Sequence, residues 1–281
     1  MEPMSDSLLD LTAESRARRP QFLPGGRAQL LGCAEGQALV RDESGLRRLP
    51  LAEVALPQRP WDLSLLVDHT LLKADATQSQ IEALCAEALQ HSFASVCVNP
   101  GWVPLAVSLL HGSLVRTCTV VGFPLGATST RAKAFEAGMA LEQGATEVDM
   151  VLALGAIKSG DWKTVEEDMR VLRSTVPGEA VLKGILETCL LEDAEKLQAC
   201  RLARELGLDF VKTSTGFSTG GATEADVTLM RHTVGSSLGV KASGGIRTYE
   251  TALRMVLAGA TRLGLSASVA VVQGSADSRT S

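Results

Sequence analysis

Aromatic side chains are scarce in this chain of 281 residues, in which Phe, Trp and Tyr together make up 4%. Glycine is abundant, with 26 glycines against 10 prolines, and 45% of the residues are hydrophobic. Many tight turns and a core of small and aliphatic side chains are typical of a parallel sheet covered by helices, and less so of a β-sandwich. The length suffices for one α/β barrel with residues left over.

Sequence patterns for metal sites and disulfide frameworks are also missing. The six cysteines include no Cys-x-x-Cys pair, and the four histidines show no His-Glu-x-x-His or similar spacing. Most of the cysteines lie in apolar stretches such as Val96-Cys97-Val98, so we predict buried, reduced thiols. We predict no metal site and no cofactor.

Strong charge and long apolar runs are absent as well. The net charge of −5 is mild, which gives no electrostatic basis for binding nucleic acid or an anionic membrane. No apolar run reaches membrane-spanning length, and the first twenty residues lack the basic start and apolar core of a signal peptide. We expect a cytoplasmic protein that acts on a small molecule. We also expect a homo-oligomer, by default a dimer, because many barrels associate through their outer helices.

The first part of the chain, residues 1–60, differs from the rest. It has clustered arginines and short apolar pieces without a sustained period, which predict either a small β appendage or a partly disordered arm. The segment Pro57-Gln58-Arg59-Pro60 marks a boundary. We therefore predict an N-terminal extension over 1–60, a barrel over 61–275 and a C-terminal tail over 276–281.

Eight short apolar segments alternate with longer helical patterns in the second part, as in repeated βα units. Eight strands permit closure into a (β/α)8 TIM barrel. An open doubly wound sheet is the alternative, but Asp68-His69-Thr70 after the first strand is not a glycine-rich dinucleotide fingerprint. The predicted strands are 65–68, 94–98, 116–121, 147–152, 181–186, 210–213, 239–242 and 262–265.

Charged residues interrupt several of these strands, and in a barrel the C-terminal strand ends form the active site. The lysines among them are separated by 29 residues, about one βα unit, so we expect neighbouring strands to direct them from equivalent places into one pocket. A single strand lysine could equally extend to solvent with its stem packed, but three at one spacing favour a pocket. The interrupting residues are Asp68, Asp149, Lys183, Lys212 and Lys241.

A lysine pair of this kind is suited to attack on a carbonyl group. The attack needs a neutral amine, and a second ammonium group in a partly desolvated pocket favours the neutral form. Lys212 and Lys241 form such a pair. Asp149 is placed for the proton transfers of a Schiff base, although it could also serve only to neutralise the lysines. Asp68 could equally cap a helix or turn.

Small residues follow the last strands, where barrels often hold a phosphate group on backbone amides. This indicates a phosphorylated substrate. Tight βα turns would also explain either glycine pair; they are the preferred explanation for Gly220-Gly221 but not for Gly244-Gly245, which opens the loop directly behind Lys241. The candidate phosphate-binding residues are Thr215, Gly216, Gly244, Gly245 and Ser266.

Six segments together resemble the deoxyribose-phosphate aldolase family. The resemblance spans about residues 62 to 274 in the right order, and the segments that begin at Lys212 and Lys241 are its most specific parts. The segments are Val67-Asp68-His69-Thr70-Leu71-Leu72-Lys73, Val98-Asn99-Pro100, Val120-Val121-Gly122-Phe123-Pro124-Leu125-Gly126, Glu147-Val148-Asp149-Met150-Val151, Phe210-Val211-Lys212-Thr213-Ser214-Thr215-Gly216 and Val240-Lys241-Ala242-Ser243-Gly244-Gly245-Ile246-Arg247.

The resemblance implies a metal-independent class I aldolase of deoxynucleoside breakdown. Such an enzyme cleaves 2-deoxy-D-ribose 5-phosphate to D-glyceraldehyde 3-phosphate and acetaldehyde. It further implies that Lys212 forms the Schiff base, that Lys241 perturbs it and assists proton transfer, and that Asp149 works with a water as proton shuttle. The implied supporting residues are Lys183 and Asp68, and the implied phosphate ligands are Gly244, Gly245 and Ser266, with Thr215 and Gly216 nearby.

Two departures from the family pattern concern the ends of the chain. Leu265 and Ser268 stand where the family more often has smaller residues, which predicts a differently shaped phosphate end. Residues 1–60 have no counterpart that we can place. Two alternative functions stay open: another Schiff-base phosphosugar aldolase or transaldolase-like barrel, and an inactive barrel that serves as a binding scaffold.

Overall fold

The computed structural model describes residues 29–34, 37–42, 45–50 and 60–274, with side chains described over 63–274. Eight parallel strands form a closed barrel in sequence order. This confirms the predicted (β/α)8 TIM barrel and excludes the open doubly wound sheet. The predicted tail over 276–281 lies outside the described residues.

Three antiparallel strands precede the barrel and form a separate sheet. They are β1 (Gln29–Ala34), β2 (Gln37–Asp42) and β3 (Gly45–Pro50). β2 pairs with both neighbours, so the sheet is a simple meander. These strands agree with the β appendage that was one of the two expectations for residues 1–60, and the domain boundary stays a prediction.

The barrel strands fall close to their predicted positions, and two of them match exactly. The main difference is the first strand, because a 3-10 helix (Pro60–Leu66) includes two of its predicted residues. Asp68 is consequently the second residue of its strand and does not end it. The strands are β4 (Val67–Leu71), β5 (Ser95–Val98), β6 (Arg116–Val121), β7 (Glu147–Val151), β8 (Val181–Ile185), β9 (Phe210–Lys212), β10 (Gly239–Ser243) and β11 (Arg262–Leu265).

Helices cover the outside of the barrel and return the chain from each strand to the next. Gly144 shows how one of them ends: its φ of +100° is left-handed, and a Cβ there would lie 2.9 Å from the Val107 side chain. The helices are α1 (Gln78–His91), α2 (Val103–Leu110), α3 (Thr130–Glu142), α4 (Leu154–Lys158), α5 (Trp162–Thr175), α6 (Asp193–Glu205), α7 (Glu224–Val234), α8 (Tyr249–Leu257) and α9 (Ser268–Gln273).

The strands have two different faces, as β7 shows. Val148 and Met150 are fully buried in the apolar layer between strands and helices, whereas Glu147 and Asp149 reach charged partners inside the barrel. This alternation is the period of two of a β-strand. It places polar groups inside the barrel without interrupting the apolar layer. Among the described helices, none is long and apolar enough to cross a membrane.

Candidate active site

Asp149 lies at the centre of a buried cluster of charges inside the barrel. Its Oδ1 accepts a hydrogen bond from Lys183 Nζ at 2.8 Å. Its Oδ2 accepts two further bonds, from Lys212 Nζ at 2.8 Å and from Lys241 Nζ at 2.7 Å. The three strand lysines therefore point into one pocket and meet on one carboxylate.

The three lysines do not share one position in the strand register, however. Lys212 pairs directly with Lys241 across β9 and β10. Lys183 pairs with Phe210, and Lys212 pairs with Ile185, so Lys183 lies two residues before the partner of Lys212 on β8. The prediction of equivalent places is thus correct for one pair and wrong for Lys183. The reason is the stagger between neighbouring strands that barrel closure requires, which sequence separation does not reveal.

A second set of charged groups contacts these lysines inside the barrel. Lys183 Nζ lies 2.5 Å from Glu147 Oε2, and Lys241 Nζ lies 2.5 Å from Asp68 Oδ2. Arg262 joins the two carboxylates, with Nη1 at 2.6 Å from Asp68 Oδ1 and 3.2 Å from Glu147 Oε2. Asp68 and Lys183 are therefore supporting members of the cluster by geometry.

Two residues of this set, Glu147 and Arg262, were not predicted from the sequence. Glu147 lies two residues before Asp149 and therefore on the same face of β7, a signal that was present in the sequence. Arg262 is the first residue of the last strand, and no motif drew attention to it. Its guanidinium group reaches inward and also lies 5.4 Å from the centre of the Phe210 ring.

The charges of the cluster do not balance when all groups are ionised. Three buried carboxylates, Asp68, Glu147 and Asp149, face four buried basic groups, Lys183, Lys212, Lys241 and Arg262. Each of these buried basic groups except Lys212 contacts at least two of the carboxylates. Lys212 contacts one, and it shares that oxygen with Lys241. The ammonium form of Lys212 is therefore the least compensated of the four.

The pKa shifts in the cluster show which charges persist. Burial opposes ionisation of Asp149, but Lys183, Lys212 and Lys241 together hold the pKa of its carboxyl well below the usual range. Burial likewise opposes ionisation of Asp68, and Arg262 and Lys241 lower its pKa. Burial disfavours the charged forms of Lys183 and Lys241, but neighbouring carboxylates, Asp149 foremost, raise the pKa of both. The two carboxylates stay ionised and these two lysines stay protonated.

One wall of the pocket is apolar and carries two thiols, Cys97 and Cys118, packed with Leu72, Val120 and Phe123. Cys118 Sγ donates to Asp149 Oδ1 at 3.2 Å, and burial raises the pKa of this thiol further above neutrality. Cys97, Cys118 and Asp149 offer three possible metal ligands within 4.8 Å of one another. The lysines around Asp149 disfavour a cation there.

Cysteine burial follows the sequence prediction with one exception. Cys85, Cys97, Cys118 and Cys200 are buried and unpaired, whereas Cys189 is an exposed free thiol. The side chain of Cys33 lies outside the described residues.

The loops after β9, β10 and β11 lie at the C-terminal ends of their strands, the end of a barrel that carries its active site. Gly216, Gly245 and Ser266 are exposed there, and Gly244 and Gly245 both have left-handed backbones, with φ of +86° and +78°. A Cβ on Gly221 would lie 2.3 Å from the Gly244 carbonyl oxygen. Close packing of two loops thus requires glycine at that position, and the tight-turn interpretation of the pair stays a prediction.

Thr215 is placed differently from the other candidate phosphate ligands. It is buried, and its backbone amide lies 3.2 Å from Glu187 Oε1 while its hydroxyl donates to Glu187 Oε2. Glu187 itself is buried in a left-handed conformation with φ of +53°. Glu187 was not predicted from the sequence, because the residue lies beyond β8 in a segment without a motif.

Comparison with known proteins assigns the barrel to a family. The family model described as DeoC/LacD family aldolase matches residues 63–275. The chain belongs to the DeoC/LacD aldolase family. Two members named deoxyribose-phosphate aldolase are close to it in sequence. That from Geobacillus sp. strain WCH70 is 56% identical over 213 residues, or 76% of this chain and 96% of its own. That from Streptococcus uberis is 58% identical over 210 residues, or 75% and 95%.

A solved structure supports the same assignment to the DeoC/LacD aldolase family. The deoxyribose phosphate aldolase from Aeropyrum pernix, described as a unique tetramer, superposes with a TM-score of 0.71 at 35% identity and covers 76% of this chain and 91% of its own. The family resemblance predicted from the six segments is confirmed, and the chain is an aldolase.

We expect the lysine beneath Asp149 to stabilise this DeoC/LacD family barrel. Lys183→Met leaves Glu147 and Asp149 without their shared partner, so the free energy of unfolding should fall by about 3–5 kcal/mol. Urea titration at pH 7 measures the change. The matched control is Lys158→Met, which removes an exposed pair with Glu195 at 2.9 Å and should cost less than about 1 kcal/mol. Equal losses in the two variants would contradict the account.

The lowered pKa of Asp68 predicts how stability depends on pH. A carboxyl group with a depressed folded-state pKa contributes stability above its unfolded pKa of about 3.9, and this contribution is lost as the pH falls towards the folded-state pKa. The difference in unfolding free energy between the wild type and Asp68→Asn should be constant from about pH 5 to 8 and shrink below about pH 4. Urea titrations across this range test it. A difference that persists unchanged at the acid end would refute the assignment.

Proposed function

We propose that this aldolase cleaves 2-deoxy-D-ribose 5-phosphate to D-glyceraldehyde 3-phosphate and acetaldehyde through a Schiff base on Lys212. The observation that carries the proposal is the sharing of Asp149 Oδ2 by Lys212 and Lys241, which leaves Lys212 as the least compensated amine of the pocket. The names of the relatives at 56% and 58% identity support the substrate.

The reaction begins with attack of the Lys212 amine on the aldehyde carbon, C1, of the open-chain sugar. Loss of water from the carbinolamine gives an iminium ion, which withdraws electrons from C2. The hydroxyl on C3 then gives up its proton, the C2–C3 bond breaks, and its electron pair forms the enamine. Protonation of the enamine at C2 and addition of water release acetaldehyde and restore the Lys212 amine.

Asp149 and Lys241 carry the proton transfers of these steps in our proposal. Asp149 is ionised and contacts the Lys212 amine directly, so with a water molecule it accepts protons and returns them. Lys241 stays protonated and is fixed between Asp68 and Asp149. Its ammonium group disfavours a second positive charge on Lys212 and assists proton donation to the carbinolamine hydroxyl.

We place the phosphate group of the substrate at the loops after β10 and β11. Gly245 and Ser266 are exposed at the mouth, and the left-handed Gly244 and Gly245 turn the loop directly behind Lys241. Gly216 contributes from the loop after Lys212. Thr215 acts there through Glu187, which engages both its amide and its hydroxyl.

The test is an assay of the purified protein with 2-deoxy-D-ribose 5-phosphate. We expect acetaldehyde and triose phosphate to appear in equal amounts. Release of a three-carbon ketone from ketose phosphates in their place would support the transaldolase-like alternative. Failure to cleave any sugar phosphate, together with the failure of acetaldehyde and borohydride to modify the protein, would support the scaffold alternative.

Assembly and compartment remain predictions for this chain. We propose a homo-oligomer in the cytoplasm, with a dimer as the expected state. The relative from Aeropyrum pernix is described as tetrameric, so sedimentation of the full chain at micromolar concentration distinguishes the two states.

A further inference from the structure

A chain of three polar side chains lies behind the phosphate end of the pocket, on the outer side of β4. Asp68 points into the pocket, so the next residue of the strand, His69, points away from it. His69 Nε2 lies 2.7 Å from Glu87 Oε2, and Nδ1 lies 2.9 Å from Ser268 Oγ. His69 and Ser268 are buried. The chain connects α1, β4 and α9, and the Schiff-base chemistry does not use it.

The hydrogen positions in this chain follow from what each group can donate. A carboxylate can only accept, so His69 Nε2 carries a hydrogen toward Glu87. Ser268 Oγ also lies 3.0 Å from the Leu265 carbonyl oxygen, to which it can only donate. When the ring is neutral, the one hydroxyl hydrogen is shared between Nδ1 and this carbonyl. When the ring is protonated, Nδ1 donates to Oγ and Oγ donates to the carbonyl.

When it donates to the Leu265 carbonyl, the hydroxyl of Ser268 joins the two ends of the loop between β11 and α9. Leu265, the last residue of β11, pairs with His69 in the barrel register, so the loop leaves the barrel beside the ring. Between its fixed ends lies Ser266, which is exposed at the mouth. A loop fixed at both ends presents its groups to a ligand with little loss of conformational freedom on binding.

We propose that Glu87, His69 and Ser268 position the β11–α9 loop for the substrate phosphate and thereby set the preference for phosphorylated over unphosphorylated sugars. This inference rests on the proposed function and deepens it. The three residues are positioning residues, because none of them is required to touch the substrate. Their effect is confined to the end of the substrate that carries the phosphate, and the chemistry at Lys212 does not depend on them.

The test compares 2-deoxy-D-ribose 5-phosphate with 2-deoxy-D-ribose in Ser268→Ala. We expect the KM for the phosphorylated sugar to rise about five- to tenfold, as for the loss of one or two hydrogen bonds. Its kcat, and kcat/KM for the unphosphorylated sugar, should stay within about twofold. The matched control is Ser113→Ala, because Ser113 Oγ donates in the same way to the carbonyl three residues back, Leu110, at 2.7 Å. We expect neither substrate to respond to it.

Two variants of His69 provide an independent test of the inference. His69→Ala should resemble Ser268→Ala, whereas His69→Asn retains a polar atom near the place of Nδ1 and should restore part of the KM. An unchanged ratio of the kcat/KM values for the two sugars would overturn the inference. An equal loss of kcat/KM for both sugars is one such result and would show a merely structural role. A wild type that cleaves neither sugar would overturn the proposed function and the inference together, so the two failures are distinguishable.

Discussion

Lys212→Met is expected to lower kcat/KM for 2-deoxy-D-ribose 5-phosphate by about 10⁴-fold or more. Methionine has nearly the shape of lysine but no amine, so the iminium ion that accepts the electrons of the C2–C3 bond cannot form. The remaining groups of the pocket can bind the sugar and move protons, but they offer no substitute for the iminium. Steady-state assay of acetaldehyde release measures the loss.

The same variant should fold as well as the wild type. Lys212 is the least compensated cation of the cluster, and its removal leaves three basic groups facing three carboxylates. We therefore expect an unfolding free energy within about 1 kcal/mol of the wild type, in contrast to Lys183→Met. Substantial residual cleavage by Lys212→Met would contradict the assignment of the Schiff base to Lys212. If Lys212→Met loses both its activity and its fold, the assignment is tested with Lys212→Arg. This variant keeps the charge and should be equally inactive.

Asp149→Asn is expected to reduce kcat by about 10²- to 10⁴-fold, the range typical of lost general acid–base catalysis. The amide keeps the shape of the carboxylate but cannot accept a proton at neutral pH. It also leaves Lys183, Lys212 and Lys241 without their shared charge, so the unfolding free energy should fall by about 3–5 kcal/mol. Activity must therefore be measured at a temperature at which the variant is still folded by circular dichroism.

A second buried carboxylate separates the catalytic effect from the structural one. Asp168 in α5 pairs with Lys133 Nζ at 2.5 Å, and both side chains are buried outside the lysine cluster. Asp168→Asn should cost comparable stability but leave kcat within about threefold while the protein is folded. If the two variants lose kcat equally, Asp149 has only a structural role. That result would support the alternative in which Asp149 serves only to neutralise the lysines.

The sequence predicts the barrel well because its signal is local. Short apolar segments between helical patterns identify all eight strands, and β6 and β11 match to the residue. Charged residues inside such segments identify five members of the buried cluster. A charged side chain is buried inside a barrel only where oppositely charged or hydrogen-bonding partners surround it. The error at β4 is also local, since a 3-10 helix and a strand start compete for the same apolar residues.

The parts that the sequence does not predict depend on contacts between distant residues. The position of Lys183 in the strand register follows from the stagger between strands, which the separation of residues along the sequence does not reveal. Glu187 and Thr215 are 28 residues apart, and His69 and Ser268 are 199 apart. Each of these residues is unremarkable in its own segment, and only the closure of the barrel brings its partner near. Arg262 was missed for the same reason, since its carboxylate partners lie on β4 and β7.

The most direct test of the account is to reduce the protein with borohydride in the presence of acetaldehyde and to map the modified peptide by mass spectrometry. We predict one added ethyl group, on Lys212 and on no other lysine of the cluster, and no such modification in Lys212→Met. An ethyl group on Lys183 or Lys241 with Lys212 unmodified, or no modification at all in an active enzyme, would contradict the central claim.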